Sequence, residues 1–210
     1  MGDLSLMLFI SFAAPLLLVI LICKNESRIL VSFLLVGMFV ALFCGELDGM
    51  LIKLISLDNA IFTSNMSPFV EELFKAVPIL LFAFLSNPKR QLLLECAALV
   101  GVGFAVLENA YILAGSLNYV TVPLAIIRGF GAGLMHGICT MCVGYGVSFI
   151  HTRRKVFYSG TIAILAAVSI YHAIYNMLSQ SEHQLVGFIL PTLTCIPIWM
   201  FLKKRDLQAH

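Results

Sequence analysis

Ionisable and amide side chains recur inside four separate apolar stretches of this sequence, where lipid would penalise them. They are Glu71, Glu72, Lys75, Glu108, Asn109, Arg128, His136, His172 and Asn176. A charge at the centre of a bilayer costs about 2.5–3.5 kcal/mol on insertion scales. Four stretches that all carry this penalty indicate one shared polar cavity, in which carboxylates and imidazoles could activate water or hold a metal ion.

The chemistry of this set favours water as the nucleophile, because no serine or cysteine is placed beside a base. A buried glutamate can act as a general base, and histidine or asparagine can donate hydrogen bonds to an oxyanion. Alternatively, two histidines and one or two glutamates could hold one zinc ion with an open position for water. The candidate ligands are Glu72, Glu108, His136 and His172. The H-E-x-x-H signature does not occur, so spacing leaves both metal-dependent and metal-free activation open.

The composition is that of a membrane protein. Of the 210 residues, 60% are hydrophobic and 11% charged, with a formal net charge of +2. This is far more apolar than a soluble domain, and the near-neutral charge argues against a nucleic-acid partner. The six cysteines are scattered through apolar runs and are interpreted as small buried hydrophobes rather than a disulfide framework. The pair Cys139-x-x-Cys142 has no second pair nearby and is not expected to bind metal.

Seven apolar stretches are long enough to cross ~30 Å of hydrocarbon and predict seven transmembrane helices. Their approximate limits are residues 4–23, 29–45, 68–86, 92–114, 122–150, 156–178 and 185–202. Residues 46–57 have apolar positions at helical spacing and predict an amphipathic continuation of the second span in the membrane interface. Glu46 and Asp48 within it are expected at a solvated helix end. We therefore predict an all-α, polytopic integral membrane protein in which residues 1–210 form a single domain.

Basic residues predict the orientation of the chain in the membrane. They concentrate in alternate connections and after the last span: Lys24, Arg28, Lys89, Arg90, Arg153, Arg154, Lys155, Lys203, Lys204 and Arg205. The remaining connections, residues 58–67, 115–121 and 179–184, contain neither lysine nor arginine. The positive-inside rule then places the N-terminus outside the cytoplasm and the C-terminus within it.

With this orientation, the polar residues of all four spans lie at a similar depth. Glu71 falls near the outer end of the third span and Glu108 in the outer half of the fourth. His136 lies near the middle of the fifth span and His172 in the last two turns of the sixth. Polar residues with unrelated roles would not be expected to lie at the same depth in the membrane. The sequence therefore predicts a polar cavity between the third, fourth, fifth and sixth spans, in the outer half of the membrane.

Several neighbours are expected to support the site. Lys75 follows the two carboxylates of the third span by three and four residues and predicts an internal ion pair with one of them. Arg128 is expected to act as a fixed cation, Phe104 to serve packing, and Asn109 to orient a partner or bond a neighbouring helix. Glycines recur at four-residue intervals in the fifth span, at residues 129–137, and predict the close approach of another helix.

Taken together, the motifs resemble the PrsW family of intramembrane proteases. Four motifs carry the resemblance: E-E-x-x-K at residues 71–75, G-F-A-x-x-E-N at residues 103–109, R-x7-H followed by G-Y-G at residues 128–146, and H-x3-D/N at residues 172–176. Their order agrees across the third to sixth spans, roughly half of the chain. The related CAAX prenyl endopeptidases carry E-E-x-x-x-R and F-x-x-x-H instead, so Lys75 and Glu108 favour the PrsW branch.

The resemblance implies a peptidase that cuts membrane-anchored proteins, in some members an anti-sigma factor. It implies these roles: Glu71 and Glu72 supply the water-activating carboxylate with Glu108 as partner, His172 and Asn176 polarise the scissile carbonyl, and His136 is a further catalytic or ligand group. Many relatives have aspartate where this chain has Asn176, and an amide suits an oxyanion donor better than a charged ligand. Members are often labelled metalloproteases, so the resemblance implies one zinc ion or none.

Two other functional classes fit the same polar residues. A proton- or cation-coupled transporter or channel also places carboxylates and histidines at one depth, but usually shows an inverted repeat that is not visible here. A non-catalytic membrane receptor or scaffold could keep a protease fold and bind a membrane partner without cleavage. We expect an intramembrane endopeptidase that acts in the lipid bilayer on a membrane-anchored protein near the extracytoplasmic side, with residues 58–67 able to gate entry.

Overall fold

The computed structural model describes residues 2–56, 58–116, 121–182 and 184–207, and those residues form helices and no β-strand. The helices are α1 (Gly2–Ile22), α2 (Asn25–Ile55), α3 (Asn59–Ile61), a π-helical turn (Phe62–Met66), α4 (Ser67–Ser86), α5 (Arg90–Gly115), α6 (Val122–Val147), α7 (Arg154–Ser179) and α8 (Gln184–Leu207). The predicted all-α class is confirmed.

Five of the described helices, α1, α2, α5, α6 and α7, are long and apolar enough to span a membrane. This confirms a multi-pass integral membrane protein. Helix α4 has 20 residues but carries three charged side chains, and the apolar part of α8 is shorter and contains Pro191 and Pro197. The total of seven spans therefore stays a prediction.

Helix α2 joins the predicted second span and the predicted interfacial segment without interruption. It has 31 residues and ends at Ser56, whose φ of 54° is left-handed. At a rise of 1.5 Å per residue the helix is about 46 Å long, which exceeds the ~30 Å of a hydrocarbon core. The C-terminal part of α2 is consequently a rigid extension that reaches the start of α4.

Helix α5 lies between α2 and α6 and approaches both very closely. A Cβ atom added at Gly101 would overlap the carbonyl group of His136, and one added at Gly103 would overlap the carbonyl of Leu34. The four-residue glycine spacing at residues 129–137 of α6, the predicted fifth span, had predicted close helix contacts at positions that mostly do not make them. Of the three glycines in that pattern only Gly137 contacts a neighbour, whereas a Cβ at Gly129 or Gly133 would meet open space; the other contacts of α6 glycines are at Gly131, Gly144 and Gly146.

Two apolar clusters flank the polar residues and hold the helices that carry them. One contains Ile79, Val100, Met135, Cys139 and Val143 and joins α4, α5 and α6, and it extends to α7 and α8. The other joins α2 and α5 through the buried side chains Met38, Cys44, Phe104 and Leu107, with α1 packed against it. All six cysteines are free, as the apolar surroundings predict.

Candidate active site

Helix α4 places three charged side chains in the interior of the protein. Glu72 and Lys75 are fully buried and Glu71 is 6% exposed. Lys75 Nζ lies 2.6 Å from Glu72 Oε1 but 4.0 Å from Glu71 Oε2. The ion pair predicted from the spacing is therefore present, and it engages mainly Glu72. Lys75 therefore constrains the Glu71 carboxylate less than it constrains Glu72.

Lys75 also reaches His136 on α6, which links α4 to α5 and α6. Its Nζ lies 2.7 Å from His136 Nδ1 and 4.2 Å from the centre of the Phe104 ring. An ammonium group only donates, so His136 Nδ1 accepts and the ring proton sits on Nε2. His136 Nε2 then donates to Glu108 Oε2 at 3.0 Å. Both nitrogens of His136 are thus engaged.

His172 on α7 is oriented by Glu72. Its Nδ1 donates to Glu72 Oε1 at 3.0 Å, which leaves a lone pair on Nε2. His172 Nε2 and Glu71 Oε2 lie 3.7 Å apart, and both are buried without a hydrogen-bond partner. Two facing acceptors repel each other unless donor hydrogens or a cation lie between them. The geometry therefore marks a position for a water molecule or a metal ion.

The residues at this position fit a divalent cation. Ligand atoms of Glu71, His136 and His172 lie within 4.8 Å of one another. The unpartnered His172 Nε2 and Glu71 Oε2 can ligate directly, whereas His136 can join only if Lys75 releases its Nδ1. Glu72, predicted as a ligand, instead bonds to His172 Nδ1 and would support that histidine from outside if a metal were bound. Glu108, also a predicted ligand, is bonded to His136.

The formal charge around the site supports the same conclusion. Four carboxylates border the cluster or its cavity, on Asp48, Glu71, Glu72 and Glu108. They face two cations, Lys75 and the cavity-lining Arg128. The one hydrogen of the Ser67 hydroxyl, which lies between Asp48 and Glu71, requires a proton on one of these two groups, so with neutral histidines three negative and two positive charges leave a formal charge of −1. The site is therefore net negative and would attract a cation, because buried charges are stable only when they are paired.

A cavity of about 680 Å³ opens beside the cluster. Its lining includes Glu71 and Glu108 but none of Glu72, His136 and His172, so these two carboxylates face the open space. Residues of α1 and α2, among them Ser5 and Cys44, also line it. The sequence predicted walls from only the third to the sixth span.

Three of the predicted site residues do not contact the cluster of carboxylates and imidazoles. Asn176 lines the cavity and donates from Nδ2 to the carbonyl of Thr63 at 3.3 Å. Arg128 also lines the cavity, and its buried Nε has no hydrogen-bond partner. Asn109 is buried on α5 with an unpartnered Oδ1. Only the first two border the space that a substrate would occupy.

Asp48 and Ser67 belong to the site but were not predicted as site residues. Ser67 Oγ lies 2.7 Å from Glu71 Oε1 and is also in hydrogen-bond contact with Asp48 Oδ2. The expectation that Asp48 lies at a solvated helix end is wrong, because it lines the cavity and its Oδ1 is buried. Glu46, by contrast, is exposed as expected. The sequence indicates the contact between Ser67 and Glu71 only through their four-residue spacing, which places both on one face of a helix. It does not indicate the contact between Ser67 and Asp48.

One comparison with known proteins identifies the family of the chain. A family model described as the PrsW family intramembrane metalloprotease matches residues 25–202, which cover α2 to most of α8. No curated protein and no solved structure shows detectable similarity to the chain. Helix α1 precedes the matched region. The chain therefore belongs to the PrsW family of intramembrane proteases.

Proposed function

We propose that the protein is an endopeptidase that hydrolyses a peptide bond of a membrane-anchored protein within the outer half of the bilayer. The observation that carries the proposal is the pair of buried acceptors, Glu71 Oε2 and His172 Nε2, which face each other at 3.7 Å. A single water molecule can donate one hydrogen to each acceptor. Its oxygen lone pairs are then free to attack a carbonyl carbon.

Glu71 is the proposed general base of this reaction. It takes a proton from the bound water as the oxygen attacks, and its position on the cavity wall gives it access to the substrate. Glu72 is assigned a different role, because it neutralises Lys75 and holds the ring of His172. The resemblance implied that Glu71 and Glu72 together supply the carboxylate that activates water. The hydrogen bonds of the two side chains favour Glu71 for this role.

Glu108 and His136 are proposed to handle the second proton transfer. Glu108 lies on the cavity wall with its side chain 20% exposed, and it is bonded to His136 Nε2. Glu108 can therefore take up the proton that Glu71 removed from the water and pass it to the leaving amine, while His136 Nε2 holds its carboxylate in place. Asn176 can donate to the oxyanion once it releases the carbonyl of Thr63, which its Nδ2 binds.

A metal ion fits the same position. Glu71 and His172 would hold it, with His136 as the third ligand after Lys75 withdraws, and zinc would supply Lewis-acid activation of water. In either case Glu72 keeps His172 in the tautomer that presents Nε2 to this position.

The proposal is tested by cleavage in proteoliposomes. Purified protein is reconstituted with a set of single-span fusion proteins that differ in their transmembrane helix, and fragments are identified by mass spectrometry. We expect Glu71→Gln to lower the rate at least about 100-fold, since general-base catalysis contributes 10²–10⁴-fold. The matched control is Glu95→Gln, an exposed carboxylate on α5 bonded to Gln91. Cleavage at the wild-type rate by Glu71→Gln would refute the proposal.

A further inference from the structure

Ser67, the first residue of α4, bridges two carboxylates that belong to different helices. Its hydroxyl contacts Asp48 of α2, which lies 19 residues earlier, and Glu71, one turn further along α4. Ser67 is 3% exposed and Glu71 6% exposed, so water competes little with these contacts. A hydroxyl has one donor hydrogen and two acceptor lone pairs, so it bonds to both neighbours at once when it donates to Glu71 and accepts from a protonated Asp48 carboxyl.

The contact with Ser67 determines how the Glu71 carboxylate is turned. The terminal torsion of a glutamate has broad minima, so the rotamer alone does not aim either oxygen. Lys75 cannot aim the carboxylate, because its closer partner is Glu72 and it lies 4.0 Å from Glu71 Oε2. Ser67 binds Oε1 at 2.7 Å. Oε2 is thereby left pointing at His172 Nε2.

Asp48 determines, in turn, where the Ser67 hydroxyl points. Serine and threonine hydroxyls in helices commonly bond to the carbonyl four residues earlier, as Ser32 and Thr140 do here. For Ser67 that carbonyl belongs to Thr63, and it already accepts from Asn176. The Ser67 hydroxyl instead lies between the two carboxylates. Helix α2 therefore reaches the candidate active site through a side-chain contact.

We propose that Asp48 is a positioning residue of the active site, which acts through Ser67 to hold Glu71 Oε2 towards His172. The inference rests on the proposed function of Glu71, and it adds α2 to the helices that build the site. Asp48 itself does not touch the reacting atoms. Its removal therefore lowers the rate of the chemical step and leaves substrate binding intact.

The test compares steady-state cleavage by Ser67→Ala, Asp48→Ala and the double variant. We expect kcat to fall about 10–100-fold in each single variant with KM unchanged, which is the usual effect of losing an outer hydrogen-bond partner. The double variant should match the single variants, because both substitutions break the same link. Ser32→Ala and Glu46→Gln, on the same helix as Asp48 but outside the cavity lining, serve as controls and should keep the wild-type kcat.

Asp48→Asn separates positioning from folding. An amide keeps a group that can hydrogen-bond to Ser67, so this variant should retain most of the wild-type kcat. Losses that add in the double variant, a change in KM alone, or an Asp48→Asn variant as slow as Asp48→Ala would each overturn the inference. Unchanged kcat in Ser67→Ala would also overturn it while leaving the proposed function intact. The proposed function itself fails only if Glu71→Gln cleaves as fast as the wild type.

Discussion

Glu71 and Glu72 are adjacent in the chain but have different surroundings. Glu72 Oε1 accepts from both Lys75 and His172, at 2.6 and 3.0 Å. Glu71 is bonded to Ser67 through Oε1 and leaves its buried Oε2 unpartnered towards His172. Glu72 therefore belongs to the internal charge network, whereas Glu71 is available for chemistry.

This difference predicts opposite effects of two conservative substitutions. Glu72→Gln leaves the fully buried ammonium of Lys75 without its closest counter-charge, and breaking a buried ion pair on one side costs about 3–5 kcal/mol. Thermal unfolding in detergent should show a large loss of stability for Glu72→Gln. Glu71→Gln should unfold near the wild-type temperature and lose cleavage. Equal unfolding temperatures for the two variants would contradict this assignment.

Metal content is the second prediction for the residues of the site. Because Glu71 Oε2 and His172 Nε2 face each other without a hydrogen-bond partner in a net negative site, we expect about one zinc ion per purified chain. His172→Ala and Glu71→Gln should reduce the bound zinc, since they remove the two unpartnered ligand atoms, whereas Cys195→Ala should not. Elemental analysis measures the content, and chelation should abolish cleavage. Full cleavage without detectable zinc would show that Glu71 and His172 activate water without a metal.

The sequence predicted correctly that these polar residues lie close together, but it did not predict which of them pair with each other. The spacing of Lys75 behind two glutamates predicted an ion pair but could not choose between them. Two further contacts distinguish them: His172, which is 100 residues away, bonds to Glu72, and Ser67, one turn earlier on α4, bonds to Glu71. Asp48 could not be found in this way, because an acidic residue after an apolar run ordinarily marks a solvated helix end. Its burial depends on the start of α4 lying against α2.

Helix α5 holds the site together through backbone contacts rather than through charged side chains alone. Gly101 lies directly against the carbonyl of His136 on α6, while Phe104 and Glu108, one and two turns on, contact the side chains of Lys75 and His136. The glycine spacing of α6 suggested that α6 supplies the small residues. The structure shows that Gly101 of α5 makes the close contact at His136, and that α6 uses Gly131, Gly137, Gly144 and Gly146 for contacts rather than Gly129 and Gly133.

Two alanine substitutions test this view of the helix contact. Gly101→Ala places a methyl group where the backbone of α6 lies, so it should force the helices apart, displace His136, and lower both stability and cleavage. Gly133→Ala meets open space and should raise stability by about 0.5–1 kcal/mol, because glycine is unfavourable in a helix interior. Thermal unfolding measures both changes. Similar effects of the two substitutions would argue against the close α5–α6 contact.

The molecule as a whole gathers its polar groups towards one end of the helices. Glu71 lies about 6 Å from the start of α4, and His172 about 10 Å from the end of α7, at 1.5 Å per residue. Both ends border the cavity, through Ser67 and Ser179. The basic connections lie at the opposite ends of these helices, after α4 and before α7. Hydrolysis is therefore expected on the side of the membrane opposite these basic connections.

Reporter fusions test this orientation directly. Alkaline phosphatase is active only outside the cytoplasm, so a fusion after Glu182, between α7 and α8, should be active in a bacterial host. Fusions after Arg153, at the start of α7, and at the C-terminus should be inactive, while a C-terminal green fluorescent protein should fluoresce. The two sites that flank α7 serve as mutual controls, since one helix separates them. The opposite pattern would place the Glu71–His172 pair near the cytoplasmic face, and the substrate bond would then have to be sought on that side.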